Sequence, residues 1–139
     1  MKNIFAFYGS LRVGEYNYKS LLEGQDGVEF IGTDVVHGYE LRSLGAYPVI
    51  LQSTEENGIV VDVFEITNKS IIQRIRSMEL GAGYEETSVL LPTLELSATI
   101  YEGGKYHNMQ KDSYKLVPTG DWVKRHLNNN TPSKVNEFV

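Results

Sequence analysis

Short apolar runs punctuated by glycine dominate the chain, and in one segment the apolar spacing changes from that of strands to that of a helix. Residues 2–8 are rich in β-formers and stop at Gly9, which predicts a first strand. Glu15 to Glu23 predicts a brief helix with Tyr18, Leu21 and Leu22 on one side and Gly24 at its end. Gln25-Asp26-Gly27 is a turn, and Val28 to Val36 a strand that Gly32 interrupts or bulges. Tyr39 to Leu44 reads as extended, and Gly45-Ala46-Tyr47-Pro48 turns the chain into the run Val49-Ile50-Leu51. Ile59 to Ile66 is the strongest strand, nearly continuous in β-branched and aromatic residues apart from Asp62 and Glu65.

The period then changes. Ile71, Ile72, Ile75 and Met78 form a helical stripe, with Thr67, Asn68 and Ser70 as alternative N-caps. Tyr84 to Leu91 and Leu94 to Glu102 read as two strands around Pro92, followed by a Gly103-Gly104 turn and extended chain from Tyr106. Gly120-Asp121-Trp122 opens a short final helix to Leu127. Six or seven strands with one well-defined helix between the fifth and the sixth predict an α+β fold, a small mixed β-barrel with flanking helices. Residues 1–127 form one domain on this reading, and 128–139 a polar C-terminal tail.

Composition narrows the function. The 139 residues suffice for one core, and the net charge of −5 with scattered basic residues argues against nucleic acid as a partner. The chain has no cysteine, which removes disulfides, thiolate nucleophiles and cysteine zinc sites. Only four apolar residues separate Asn3 from Tyr8, too few for a signal-peptide core or a membrane span. The expected location is therefore cytoplasmic, with no membrane partner.

Candidate chemistry concentrates in the first loop and in one acid. Gly9 and Gly14 have the spacing of a phosphate-binding P-loop, but Glu15 and Tyr16 stand where Lys and Ser or Thr are required. What remains is a loop, Tyr8-Gly9-Ser10-Leu11-Arg12, whose N–H groups suit an anionic group such as a carboxylate, with Arg12 as a charge partner. The alternative is a plain turn with a solvated Arg12. Glu79 falls four residues after Ile75, inside the apolar stripe, near a helix end. Burial and the helix dipole both raise a carboxyl pKa there, as a general base working near neutral pH requires. The competing reading turns Glu79 to water or pairs it with an arginine. Ser10 suits a hydrogen-bond donor rather than a nucleophile, because no Gly-x-Ser-x-Gly frame surrounds it. His37, His107 and His126 lack metal-ligand spacing, so no metal is expected. Tyr8, Tyr47 and Tyr84 fall at strand ends where a hydroxyl can line a pocket.

Taken together, Tyr8-Gly9-Ser10-Leu11-Arg12, Gly38-Tyr39-Glu40-Leu41 through Gly45-Ala46-Tyr47-Pro48, Val61 to Ile66, Glu79 ahead of Tyr84, and Gly120-Asp121-Trp122 resemble the γ-glutamylcyclotransferase (AIG2-like) family. The resemblance implies an enzyme with no cofactor and no metal, acting on a small γ-glutamyl substrate. In such enzymes the glutamyl α-amine attacks its own γ-carbonyl and releases 5-oxoproline and an amine or amino acid. It also implies that Glu79 moves the protons, and that Tyr8, Gly9, Ser10, Leu11 and Arg12, with Tyr47 and Tyr84, bind substrate. A non-catalytic binding protein on the same fold is the alternative. Asp62 stands where family members commonly have Gly, and Glu86 where an Arg is common.

Overall fold

The computed structural model describes residues 3–54 and 58–125. Its strands are β1 (Ile4–Phe7), β2 (Val28–Val36), β3 (Tyr39–Ser43), β4 (Pro48–Gln52), β5 (Ile59–Ile66), β6 (Tyr84–Leu91), β7 (Leu96–Gly103) and the two-residue β8 (Lys115–Leu116). Helix α1 spans Lys69–Gly81 and α2 Lys105–Met109; a single wide turn, Tyr18–Leu22, fills the place of the first expected helix.

Five strands form one sheet in the order β2-β5-β1-β7-β6, and three form another in the order β4-β3-β8. β1 lies at the centre, antiparallel to β5 and parallel to β7. Both its faces are covered: Ile4, Ala6 and Tyr8 enter one core cluster with Leu41, Ile50 and Trp122, while Phe5 and Phe7 enter another with Phe64 and Ile75. That is why β1 and β5 read as continuous apolar runs rather than as alternating ones. The bulge expected at Gly32 is present as a register shift between Phe30 and Gly32 against β5.

The architecture is thus mixed α+β, with a large sheet and few helices. Strand pairing among the described residues gives two sheets that share a core; it does not run round into a closed ring, so the barrel expected from the strand count is not seen as such.

Helix α1 presents the predicted stripe, with Ile71 and Ile75 buried and Ile72 and Met78 packed beside them. Burying each isoleucine contributes about 1.5–3 kcal/mol. Asn68 is the N-cap: its side-chain oxygen accepts from the N–H groups of Ser70 and Ile71 at 3.1 and 3.2 Å. Gly83, at φ +91°, then reverses the chain into β6.

The chain from Tyr106 is not extended as the sequence suggests; Lys105–Met109 is helical. The cause is a local cap without apolar periodicity: the Gly104 N–H donates to His107 Nδ1 at 3.1 Å, and Asn108 Nδ2 donates to the Gly104 carbonyl at 2.9 Å. The second strand of the late pair starts at Leu96 rather than Leu94, because the N–H groups of Thr93 and Leu94 are taken by the Asp34 carboxylate in a turn. Of the final helix, Trp122–Lys124 form a tight 3₁₀ turn. Its expected continuation to Leu127, His126 and the tail 128–139 lie outside the described residues.

Candidate active site

The site lies where β1 ends. Tyr8 leads into Gly9, against which the Pro48 ring packs so closely that a Cβ on Gly9 would stand 2.8 Å from Pro48 Cγ. A turn follows, in which the Arg12 N–H donates to the Gly9 carbonyl at 3.0 Å and the Tyr18 N–H to the Ser10 carbonyl at 3.0 Å. The carbonyls are therefore occupied, whereas among the described residues no acceptor is paired with the N–H groups of Ser10 and Leu11. Asn17 Nδ2 donates to Ser10 Oγ at 2.7 Å, which leaves the serine hydroxyl proton for another acceptor.

Opposite this loop stands the last turn of α1. Glu79 follows the fully buried Ile75 by one helical turn, so the packing of the stripe carries its carboxylate inward. A cavity of about 290 Å³ separates the two; it is lined by residues 8–11 and by Glu79, Tyr84, Pro48 and the half-exposed Tyr47. No hydrogen bond or ion pair is made by the Glu79 carboxylate among the described residues. Burial raises its pKa from 4.5 to about 7. The side chain is partly buried, and the arginine pair of the competing reading is not seen among the described residues.

The tyrosines around the cavity act as framework. Tyr8 donates to the Tyr101 carbonyl at 2.7 Å and accepts from the Ile50 N–H at 3.3 Å, joining β1, β7 and β4. Tyr84 donates to the Pro48 carbonyl at 2.5 Å, which seats the proline against Gly9. Burial raises the pKa of Tyr8 well above its usual value, helped by Tyr84 and Glu79, and raises that of Tyr84 through burial and then Glu79. Both remain neutral donors wherever Glu79 titrates.

Of the residues picked from the sequence, Tyr8, Gly9, Ser10, Leu11, Tyr47, Glu79 and Tyr84 all line this cavity. Arg12 does not. Its buried guanidinium turns away, with Nε 3.2 Å from Asp62 Oδ2 and Nη1 2.6 Å from Asp121 Oδ1. The charge expected to meet a ligand is spent inside the fold. The sequence reading missed Asn17, Met78, Ala82 and Tyr101, which also line the cavity. Met78 was visible in the apolar stripe, but its neighbour across the cavity was not.

Both unusual acids have partners. Asp62 lies opposite Phe7 in the β1–β5 register, beneath the loop, where it also accepts from the Val13 N–H at 2.9 Å and from Thr33 Oγ1 at 3.0 Å. Glu86 accepts from the Tyr101 hydroxyl at 2.7 Å and meets Arg76 Nε at 3.2 Å.

A larger depression of about 890 Å³, between His37 and Leu90, is open, and its acid, Glu40, is paired with Arg42. Among the described residues the acid that lines the smaller cavity, Glu79, has no such partner, so the smaller cavity is the candidate site. Among the described residues no three His, Asp or Glu are grouped to hold a metal ion, and no helix is long and apolar enough to cross a membrane.

Fold and cavity define a mixed α+β domain in which one unpaired carboxylate faces a donor loop. The chain belongs to the family described as γ-glutamyl cyclotransferase, AIG2-like, whose sequence model matches residues 5–124. Membership supports an enzyme of the cyclotransferase kind in general terms. The fold is shared with an uncharacterized protein, PH0828, from Pyrococcus horikoshii at 25% identity and TM-score 0.68, covering 90% of this chain and 93% of that one. It is also shared with an AIG2-like protein from Mus musculus at 18% identity and TM-score 0.63, covering 76% and 79%. A third similar structure is the protein ytfP from Escherichia coli, at 23% identity and TM-score 0.61, covering 88% and 98%. No curated protein matches the chain.

Proposed function

We propose that the protein is a γ-glutamyl cyclotransferase: it closes the glutamyl group of a γ-glutamyl amine or amino acid into 5-oxoproline and releases the attached amine. The observation that carries this reading is the unpaired Glu79 carboxylate, with a pKa raised to about 7, facing a loop with free N–H groups.

In this reading the substrate α-carboxylate sits on the loop N–H groups and the Ser10 hydroxyl, which folds the chain so that its α-amine approaches its own γ-carbonyl. Glu79 removes one proton from the α-ammonium. The freed amine forms a C–N bond to the γ-carbon, and loop N–H groups hold the oxygen as it becomes an oxyanion. The ring nitrogen loses a second proton to water, Glu79 delivers its proton to the departing nitrogen, and the γ-carbon–nitrogen bond breaks as the oxyanion re-forms the carbonyl. The released amine takes a further proton from water, so the reaction leaves no net charge change. A pKa near 7 suits both halves, since one group must take a proton and return it. Because the nucleophile is tethered to the electrophile, orientation and proton transfer suffice, and a serine nucleophile is not needed.

The test is 5-oxoproline release from a panel of γ-glutamyl amino acids and amines. Wild type should release it, and Glu79→Gln should lose at least ~10²-fold in kcat while still binding the substrate. Equal turnover by the two proteins would refute the role of Glu79.

A further inference from the structure

The Gly120-Asp121-Trp122 segment contributes no residue to the cavity, and its position explains what it does there. Gly120 crosses β5 so closely that a Cβ would stand on the Gly58 carbonyl oxygen, and its own carbonyl accepts from the Val60 N–H at 2.8 Å. Trp122 is buried in the core shared by the two sheets. Held at both sides, Asp121 meets Arg12 Nη1 at 2.6 Å, while Asp62 on β5 takes Arg12 Nε and the Val13 N–H. Two carboxylates fixed by separate parts of the fold thus grip one guanidinium and one backbone N–H of the site loop. Arg12 and Asp62 are buried, and Asp121 is mostly so. Charge-assisted bonds of this kind are stronger and more directional than neutral ones, and the planar guanidinium can serve two acceptors at fixed angles.

We infer that Arg12, clamped between Asp62 and Asp121, is a positioning residue that sets the Ser10 and Leu11 N–H groups at the cavity, and that Gly120-Asp121-Trp122 is the remote anchor of that loop. The inference rests on the cyclotransferase reading for its kinetic consequence only. Apart from the clamp, the turn is held by backbone bonds within the loop, by Asn17 on Ser10 and by Gly9 against Pro48, and the described contacts that tie residues 12–13 to β5 are those of Asp62.

The experiment compares wild type, Asp121→Asn and Asp121→Glu by amide hydrogen exchange and by 5-oxoproline kinetics. Asparagine keeps the shape and removes the charge. Exchange at Arg12, Val13 and Tyr18, whose N–H groups are bonded within or beneath the loop, should accelerate at least ~10-fold in Asp121→Asn while β5 keeps its protection. In the same variant kcat/KM should fall at least ~10-fold, KM should carry the larger part, and the pH limb near 7 should stay in place. Asp121→Glu should recover much of both. If Asp121→Asn fails to fold, Arg12→Lys gives the same readouts, because a point charge cannot span two carboxylates. Unchanged loop exchange, or an unchanged KM with a lowered melting temperature, would overturn the inference and leave the clamp a stabilising contact. If wild type releases no 5-oxoproline from any γ-glutamyl compound, the cyclotransferase reading falls, and the exchange result alone decides the clamp.

Discussion

The Tyr101 hydroxyl donates to Glu86 Oε2 at 2.7 Å, and the same oxygen meets Arg76 Nε at 3.2 Å. An acid on the exposed side of β6 thereby fixes a ring that lines the cavity and ties it to α1, the helix that carries Glu79. Glu86 therefore sits at this position without leaving a charge unpaired. Arginine at this position would face Arg76 instead.

Glu86→Ala should cost within about 1 kcal/mol of stability, since Arg76 is half-exposed and such pairs are weak. Its effect should also reach the cavity, with kcat/KM lowered several-fold as Tyr101 loses its anchor. Glu86→Arg should lower it further by like-charge repulsion. Denaturant midpoints and steady-state kinetics of the two variants check the order.

Ser10 and Asn17 act as a pair. Asn17→Ala removes the donor that turns the Ser10 hydroxyl toward the cavity, and Ser10→Ala removes the hydroxyl itself. Each should lower kcat/KM by about 10-fold, and the double variant should lose little more than either alone, because the two serve one contact. A double-mutant cycle on 5-oxoproline release measures this; full additivity would contradict it.

Gly9→Ala should be far more harmful than its size suggests. The added methyl would stand 2.8 and 3.0 Å from two carbons of the Pro48 ring, which Tyr84 holds in place through the Pro48 carbonyl. Overpacking of this kind costs about 1–3 kcal/mol, and here the shift moves the loop away from Glu79. Thermal melts and KM report the two effects separately.

Glu79 also makes stability depend on pH. Its folded pKa, about 7, lies above the unfolded value, so stability is fullest below about pH 4.5, where Glu79 is protonated folded and unfolded, and is lost as pH rises through 7. Glu79→Gln should match wild type at low pH and exceed it by about 1–3 kcal/mol above pH 8. A stability difference that does not change with pH would place the Glu79 pKa at its ordinary value.

How far the sequence speaks depends on how local the cause is. Ile59–Ile66 and Lys69–Gly81 were legible because a doubly buried strand and an apolar helical stripe leave periodic signatures. Glu79 was legible for the same reason, as an acid within that stripe. Arg12 was not, since its partners lie 50 and 109 residues further along the chain, and a guanidinium beside a glycine turn looks equally suited to a ligand. Tyr101 was hidden by similar distance, since Tyr8, whose hydroxyl meets its carbonyl, lies 93 residues back; Asn17, only seven residues from Ser10, precedes a single wide turn that carries no periodic signal. Helix α2 went unread because a histidine and an asparagine side chain close its cap, with no apolar period to announce it.

The most direct test of the central claim, that Glu79 is the base of a γ-glutamyl cyclotransferase, is the pH dependence of kcat/KM for 5-oxoproline release from pH 5 to 9. The account predicts a rate that rises with pH through an apparent pKa near 7 as Glu79 loses its proton, and a Glu79→Gln variant without that limb. A wild-type profile that is flat down to pH 5, or a Glu79→Gln variant that keeps the limb, would contradict it.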